Sequence, residues 1–316
     1  MPRKRPPNEG AGDRRPSLSP SYPFGSDVGA LVDATTHLRA LTRSQGILIR
    51  RLLREKDVRS QEGALVVEGT KSCLDLIDRH AGSIRSLVLS PRYLRTETDD
   101  ERQVRSQLLA SQFVCPDRAF EKLTDVERPQ GILAVVRQPR WDEAQILNQT
   151  KVLGIYGDRL QDPANVGAII RTAAALGLSG VWLGADCADP FGPKVVRAAA
   201  GSILNVPIFW GREIQSFSLY GCEIYSAVLP SADIVSIRDI QKLPNRLVFA
   251  LGNEGGGLAS DIVAASPVKF SIPLANGVES LNVAATAAIA AFYFQGLRLH
   301  PTGEHDGEAS PEGIGI

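Results

Sequence analysis

Short apolar runs alternate with longer amphipathic stretches over most of this chain, and the alternation falls into two blocks. In the first, β-rich runs at 64–68, 84–89, 113–115 and 131–136 are separated by helical patterns over 71–80, about 98–111 and about 118–123. That order predicts a small α/β/α unit, preceded by a helical pattern from about 28 to 41. In the second block, runs at 152–156, 180–183, 206–208, 223–228, 247–251 and 268–272 have the continuous apolar character of strands buried on both faces. The helical segments between them predict a mostly parallel sheet covered on both sides.

The helices of the second block carry their own end signals. Asp162 and Pro163 open the first and Gly177 closes it. Its apolar stripe is Val166, Ile169, Ile170 and Ala173, and Arg171 lies well off that stripe. Pro193 opens the next, over 193–200, with Gly201 as its stop. The last follows Ser280, whose hydroxyl is placed to cap an Ala-rich run that meets no breaker before Gly296.

Residues 1–26 are rich in Pro, Gly, Ser and Arg with little to bury and read as a disordered basic tail. The first block, with the helical pattern ahead of it, occupies 27–138. Pro139, Trp141 and mixed charge without any period mark a linker at 139–150. The second block spans 151–299, and 300–316 is a Gly-rich acidic tail expected to be disordered.

Composition then narrows the class. With 43% hydrophobic and 22% charged residues, this is a soluble globular chain with room for two domains. Cys73, Cys115, Cys187 and Cys222 lie tens of residues apart without a Cys-x-x-Cys pair, so neither zinc nor a disulfide framework is expected and a reducing cytosol fits. No apolar run reaches bilayer-spanning length, and Met1-Pro-Arg-Lys-Arg-Pro-Pro lacks the hydrophobic segment of a signal peptide. A cytoplasmic protein with no membrane partner is therefore expected.

Net charge is zero, 35 basic against 35 acidic residues, so any attraction to nucleic acid has to be local. From Arg43 to Lys71 seven basic residues (Arg43, Arg50, Arg51, Arg54, Lys56, Arg59 and Lys71) face four acidic ones. Arg50, Arg51 and Arg54 stand at helical neighbour spacing, where they can meet phosphates together or form a solvated face.

Three stretches share a strand, loop, helix grammar: 152–172, 247–258 and 271–294. Loops at the carboxyl ends of parallel strands converge on the crevice where open α/β sheets bind ligands. Gly252-Asn-Glu-Gly-Gly-Gly257 lacks the lysine of a phosphate loop and fails Gly-x-Gly-x-x-Gly, which disfavours a nicotinamide dinucleotide. Its glycines leave backbone groups open to a ligand where a strand ends. Taken singly, Asn165 reads as a first-turn hydrogen bonder, Ser280 as a cap and Glu254 as a solvated charge. Arg171 is harder to dismiss, since a guanidinium beside a crevice binds phosphate or carboxylate bidentately. That these residues and Asn282 all fall on the three loops makes a functional constellation. The four histidines, His37, His80, His300 and His305, lie outside those loops, so neither a His-based triad nor a metal centre is expected.

Asp158-Arg-Leu-Gln-Asp-Pro-Ala-Asn-Val-Gly-Ala-Ile-Ile-Arg171, Leu251-Gly-Asn-Glu-Gly-Gly-Gly-Leu258, and Ile272-Pro-Leu followed by Glu279-Ser-Leu-Asn-Val-Ala284 together resemble the three signature motifs of the SpoU (TrmH) RNA 2′-O-ribose methyltransferases, in order and in spacing. Arg54-Glu-Lys through Val67-Glu-Gly69, and Pro129-Gln-Gly-Ile-Leu-Ala-Val135, resemble the L30e-like substrate-binding domain that many members carry.

Strand patterns alone would suggest an unknotted Rossmann sheet. The resemblance instead implies a trefoil-knotted, SPOUT-type α/β catalytic domain after the small L30e-like α/β/α domain. It implies S-adenosylmethionine as cofactor, held by Gly252, Ile272 and Leu281 with Leu251, Asn253 and Pro273 beside them. It places Asn165, Arg171, Glu254, Ser280 and Asn282 around the target ribose, with Arg171 either as base or as phosphate anchor. The implied partners are RNA, rRNA before tRNA, and a second copy of the chain in a homodimer. A non-catalytic dimeric RNA-binding protein on the same fold is the rival reading.

Overall fold

A computed structural model describes residues 38–231, 234–275 and 278–299. Both tails lie outside those residues, as does the pattern at 28–41 up to residue 37. What remains of that pattern is a short strand, Arg39–Ala40, and not a helix, because it pairs in parallel with Ser111–Val114.

The first block is a five-stranded sheet in the order Arg39–Ala40, Ser111–Val114, Ile84–Leu89, Ile132–Arg137, Ala64–Glu68. Ile132–Arg137 runs antiparallel to both neighbours, with Ala134 opposite Leu87 and Val67. Strand alternation then sorts the core. Val66, Val88, Leu133 and Val135 pack with Ile49, Leu52 and Leu53 of helix Arg43–Arg54. Leu65, Val67, Leu87 and Leu89 face Leu76 and Ile77 of helix Thr70–His80 on the other side. The predicted helix at 98–111 is shorter, Asp99–Ser106, because Ser111–Val114 is taken up by pairing with Ile84–Leu89. Thr98 and Glu101 form its capping box. Helix Pro91–Thr96, opened by Ser90 and Pro91, was not anticipated.

The second block is a seven-stranded, wholly parallel sheet. Its order is Val235–Ser236, Val268–Ser271, Glu223–Ala227, Arg246–Leu251, Val152–Gly157, Gly180–Leu183, Ile208–Trp210. Odd positions of its central strands, Leu153, Ile155, Leu247, Phe249 and Leu251, face helices Pro163–Ala175, Pro193–Ala198 and Val283–Leu299. Even positions, Val152, Tyr156, Val248 and Ala250, face the short helices Glu143–Leu147, Ile214–Tyr220 and Ser260–Ala265. On that face Trp182 is fully buried, stacked on Phe209 with centroids 5.4 Å apart.

Three predicted boundaries move, each for a tertiary reason. The strand expected at 206–208 is Ile208–Trp210; Pro207 offers its carbonyl to Val181 N but has no N–H for a ladder. The last helix runs through Gly296 to Leu299, held at its end by Arg298 Nη2, which donates to the carbonyls of Val152, Pro244 and Asn245. Within 139–150, Asp142 caps helix Glu143–Leu147, and buried Ile146 and Leu147 seat that helix on the second sheet.

Candidate active site

The carboxyl ends of Val152–Gly157, Arg246–Leu251 and Val268–Ser271 release the three loops that carry the motif residues. Leu251 is paired with Gly157, so the first two loops leave the sheet side by side. Asp162 accepts from Ala164 N and Pro163 occupies the first turn, which starts helix Pro163–Ala175 where the sequence places it. Asn165 follows in that first turn and is buried, 8% exposed, among Val166 and Ile169.

A buried amide needs partners, and Asn165 finds them on the other two loops. Its Nδ2 donates to Glu254 Oε1, and its Oδ1 accepts from Asn282 Nδ2 at 3.0 Å. Asn282 Oδ1 in turn accepts from Ala284 N at 2.9 Å and Ala285 N at 3.3 Å. Asn282, and not Ser280, therefore caps the last helix; the chain is still outside the helix at Ser280, two residues earlier. One relay of amides thus joins the last helix to the first motif and ends on the carboxylate of the second. Glu254 is itself exposed, so its carboxylate stays within reach of a ligand.

The glycine loop is shaped by a second set of bonds. Asn253 Oδ1 accepts from Gly255 N at 2.8 Å and Gly256 N at 3.3 Å, and Gly257 N donates to Asn253 O at 2.8 Å. The far limb of the loop crosses over Gly252: a Cβ there would fall 2.2 Å from Gly257 C. Two residues of the first motif hold this loop from outside. Asp158 Oδ2 accepts from Ala259 N at 2.9 Å, and Arg159 Nη2 donates to Gly257 O at 3.0 Å. Arg159 O accepts from Asn253 Nδ2 at 2.9 Å. Arg159 adopts the left-handed region, φ 53°, strain that such bonds sustain. Sequence reasoning quoted Asp158 and Arg159 within the motif and gave them no role; no local pattern announces a left-handed arginine.

Arg171 is exposed on the helix that carries Asn165, six residues further along, and is not hydrogen-bonded into the relay. Ser280 is exposed, likewise outside it. Of the residues expected at the cofactor, Leu251 is 1% exposed and can offer only its backbone, whose carbonyl accepts from Asp158 N. Asn253 spends its side chain on the loop. Gly252, Ile272 and Leu281 are half-buried and Pro273 is exposed. Among the described residues no group of three His, Cys, Asp or Glu could hold a metal ion.

A cleft of about 370 Å³ opens on the opposite face of the sheet, lined by Tyr156, Asp186, Arg212, Glu213 and Asp261 among others. It meets the loop cluster at Asp158, Arg159 and Ala259, and Asn165, Arg171, Glu254, Ser280 and Asn282 do not line it.

Sheet and loops together define an α/β protein with a polar relay at the carboxyl edge of a parallel sheet, and the comparisons with known proteins place it more narrowly. The model of the SpoU rRNA methylase family matches residues 153–292, and that of the MRM3-like substrate binding domain matches 48–134. The chain is 31% identical over 250 residues to the 23S rRNA (guanosine(2553)-2′-O)-methyltransferase RlmP of Bacillus subtilis, covering 77% of this chain and 93% of that protein. Among solved structures, a protein assigned to the TrmH family from Porphyromonas gingivalis is 31% identical, covers 80% of this chain and 98% of its own, and superposes with a TM-score of 0.65. The AdoMet-bound rRNA methyltransferase from Sinorhizobium meliloti is 26% identical, covers 83% and 97%, and gives 0.68. The chain belongs to the SpoU rRNA methylase family.

Proposed function

We propose that this protein transfers a methyl group from S-adenosylmethionine to a ribose 2′-hydroxyl of RNA, most directly 23S rRNA. The observation that carries this reading is the relay from Asn282 through Asn165 to Glu254, which draws three separated motifs into one polar cluster. The 23S rRNA 2′-O-methyltransferase activity of the Bacillus subtilis relative agrees with it, and the Sinorhizobium meliloti neighbour was determined with AdoMet bound.

The residues present suit that cofactor. Gly252, Ile272 and Leu281 are half-buried on the loops, and the glycine leaves main-chain groups open beside apolar side chains, the kind of set that a purine and its ribose require. In this reading Gly252, Ile272 and Leu281 hold the cofactor, with Leu251, Asn253 and Pro273 beside them. When bound, it supplies an electrophilic sulfonium methyl. The task left to the protein is to present the ribose oxygen in line, and positioning of this kind accounts for much of the rate in bimolecular transfers. Asn165, Asn282 and Ser280 orient the sugar. Arg171, an exposed guanidinium, anchors a phosphate and stabilises charge developing on the oxygen. Glu254 orients Asn165.

The proposal extends to the architecture. Residues 27–138 act as an L30e-like RNA-binding domain, 139–150 as the connection and 151–299 as the catalytic domain, knotted in the SPOUT manner. Two copies pair through the last helix, where Phe292 is 73% exposed and Ile289 42%, and the enzyme works in the cytoplasm. Among the described residues no helix is long and apolar enough to cross a membrane.

Tritiated methyl transfer to rRNA and tRNA from cells lacking the protein tests the reading. Incorporation into 23S rRNA as 2′-O-methylribose is the expected result. Label in tRNA alone would redirect the substrate, and tight RNA binding with no label in any RNA would leave a binding protein.

A further inference from the structure

The first sheet is tied to the second by a charged pair that the count of basic residues over 43–71 did not foresee. Arg59 is 6% exposed, so it does not face RNA. Its Nε donates to Asp189 Oδ2 at 2.9 Å, its Nη2 to the same oxygen at 2.5 Å, and its Nη1 to Leu52 O at 2.7 Å. Removing either partner would strand the other charge in a poorly hydrated place, which costs far more than losing a surface pair.

Asp189 holds more than Arg59. Its Oδ1 accepts from Phe191 N at 2.9 Å and its carbonyl from Gly192 N at 3.0 Å, so the same residue builds the turn that launches helix Pro193–Ala198. That helix lies against the motif helix at backbone distance: a Cβ on Gly167 would sit 2.4 Å from Ala198 Cβ and 2.8 Å from Val195 O. Gly167 is two residues from Asn165 and four from Arg171. Around the pair, Lys56 Nζ lies 3.7 Å over the Trp210 ring, Arg197 meets Asp125 at 2.9 Å, and His80 Nε2 meets Asn205 Oδ1 at 2.6 Å.

We propose that Arg59 and Asp189 are positioning residues that lock the RNA-binding sheet to the helix carrying Asn165 and Arg171, so that bound RNA reaches the methyl-transfer site in one register. This rests on the function proposed above. A packed chain runs from helix Lys56–Glu62 through the 189–192 turn and helix Pro193–Ala198 to the motif helix, and the ion pair is its polar joint. Neither residue touches the reacting groups; their effect is on where the RNA lies.

The test compares Arg59→Met, Asp189→Asn and the double variant, which removes both charges while the asparagine Oδ1 can still accept from Phe191 N, and so gives a neutral interface if a single variant folds poorly. S-adenosylmethionine affinity should stay within twofold throughout. The singles should lose at least tenfold in kcat/KM for an rRNA fragment, and the double should regain the wild-type Tm without regaining the rate. In small-angle scattering the double should show a larger radius of gyration than wild type. A double variant with both wild-type rate and wild-type dimensions, or singles within threefold of wild type in kcat/KM, overturns the lock. Should wild type methylate no RNA, the functional reading fails, and the scattering comparison still decides whether the pair fixes the two sheets.

Discussion

Gly252→Ala is the sharpest test of the proposed cofactor site. The added carbon would stand 2.2 Å from Gly257 C and Leu258 N and 2.4 Å from Gly257 O, all of them backbone atoms. Ordinary contact begins near 3.4 Å, so the far limb of the loop has to withdraw by more than 1 Å. That limb is pinned by Gly257 N to Asn253 O at 2.8 Å, by Arg159 Nη2 to Gly257 O at 3.0 Å and by Ala259 N to Asp158 Oδ2 at 2.9 Å. Overpacking of this kind costs about 1–3 kcal/mol and each ruptured hydrogen bond about 1 kcal/mol more. The sum is roughly 2–4 kcal/mol, which corresponds to a loss of about 30-fold to 1,000-fold in affinity for a ligand that needs the native loop. Residues 254–257 are exposed, so the damage stays local and the Tm should move little. Gly257→Ala is the control: nothing lies within 4 Å, and the only cost is its φ of 61°, about 1 kcal/mol. Calorimetric titration with S-adenosylmethionine separates the two. Binding by Gly252→Ala within threefold of wild type, or a larger loss in Gly257→Ala, would refute this account of the loop.

Three further outcomes follow from the same geometry. Arg171→Ala should abolish turnover in the methyl-transfer assay while leaving cofactor affinity within a few fold; near-normal turnover would remove Arg171 from the mechanism. Asn282→Ala should lower stability by about 1 kcal/mol through loss of the helix cap, whereas Ser280→Ala should not; urea midpoints compare them, and equal losses would contradict the assignment of the cap. Burial pushes the Cys187 thiol up to about 11 and that of Cys115 to about 12, and raises Cys73 and Cys222 as well. A free thiol in the unfolded chain ionises near pH 9, so above that pH the unfolded state releases protons that the folded state keeps, and stability falls as pH rises. Cys187 alone should contribute a loss of up to about 1.4 kcal/mol per pH unit between pH 9 and 11. A urea midpoint that stays constant from pH 8 to 10 would show that these thiols are not shielded.

Strands buried on both faces were legible because nothing but apolar side chains satisfies such a position; Gly180–Leu183 appears with the predicted bounds, and Val152–Gly157 is one residue longer than expected. The start of helix Pro163–Ala175 was legible because Asp162 and Pro163 act within one turn. Features set by distant partners were not. Ser280 and Asn282 are both good cap residues, and the choice between them depends on Asn165, 117 positions away in sequence. Arg59 was only one of seven basic residues counted between 43 and 71, and nothing local shows that it pairs with Asp189, 130 positions away. Val235–Ser236 is too short to have a period, and only its pairing with Phe270 and Ser271 makes it a strand.

The grip of Arg298 on the carbonyl of Val152 orders events during protein synthesis. The strand that begins the methylase region leaves the ribosome 146 residues before the side chain that closes over it. At about 5–20 residues per second that is a wait of roughly 7 to 30 s. For most of it, until residue 282 has been made, Asn165 is without its bond from Asn282. A nascent chain therefore has no complete relay until its last helix has begun to form, and a message cut short before codon 282 yields a product in which Asn165 never meets Asn282.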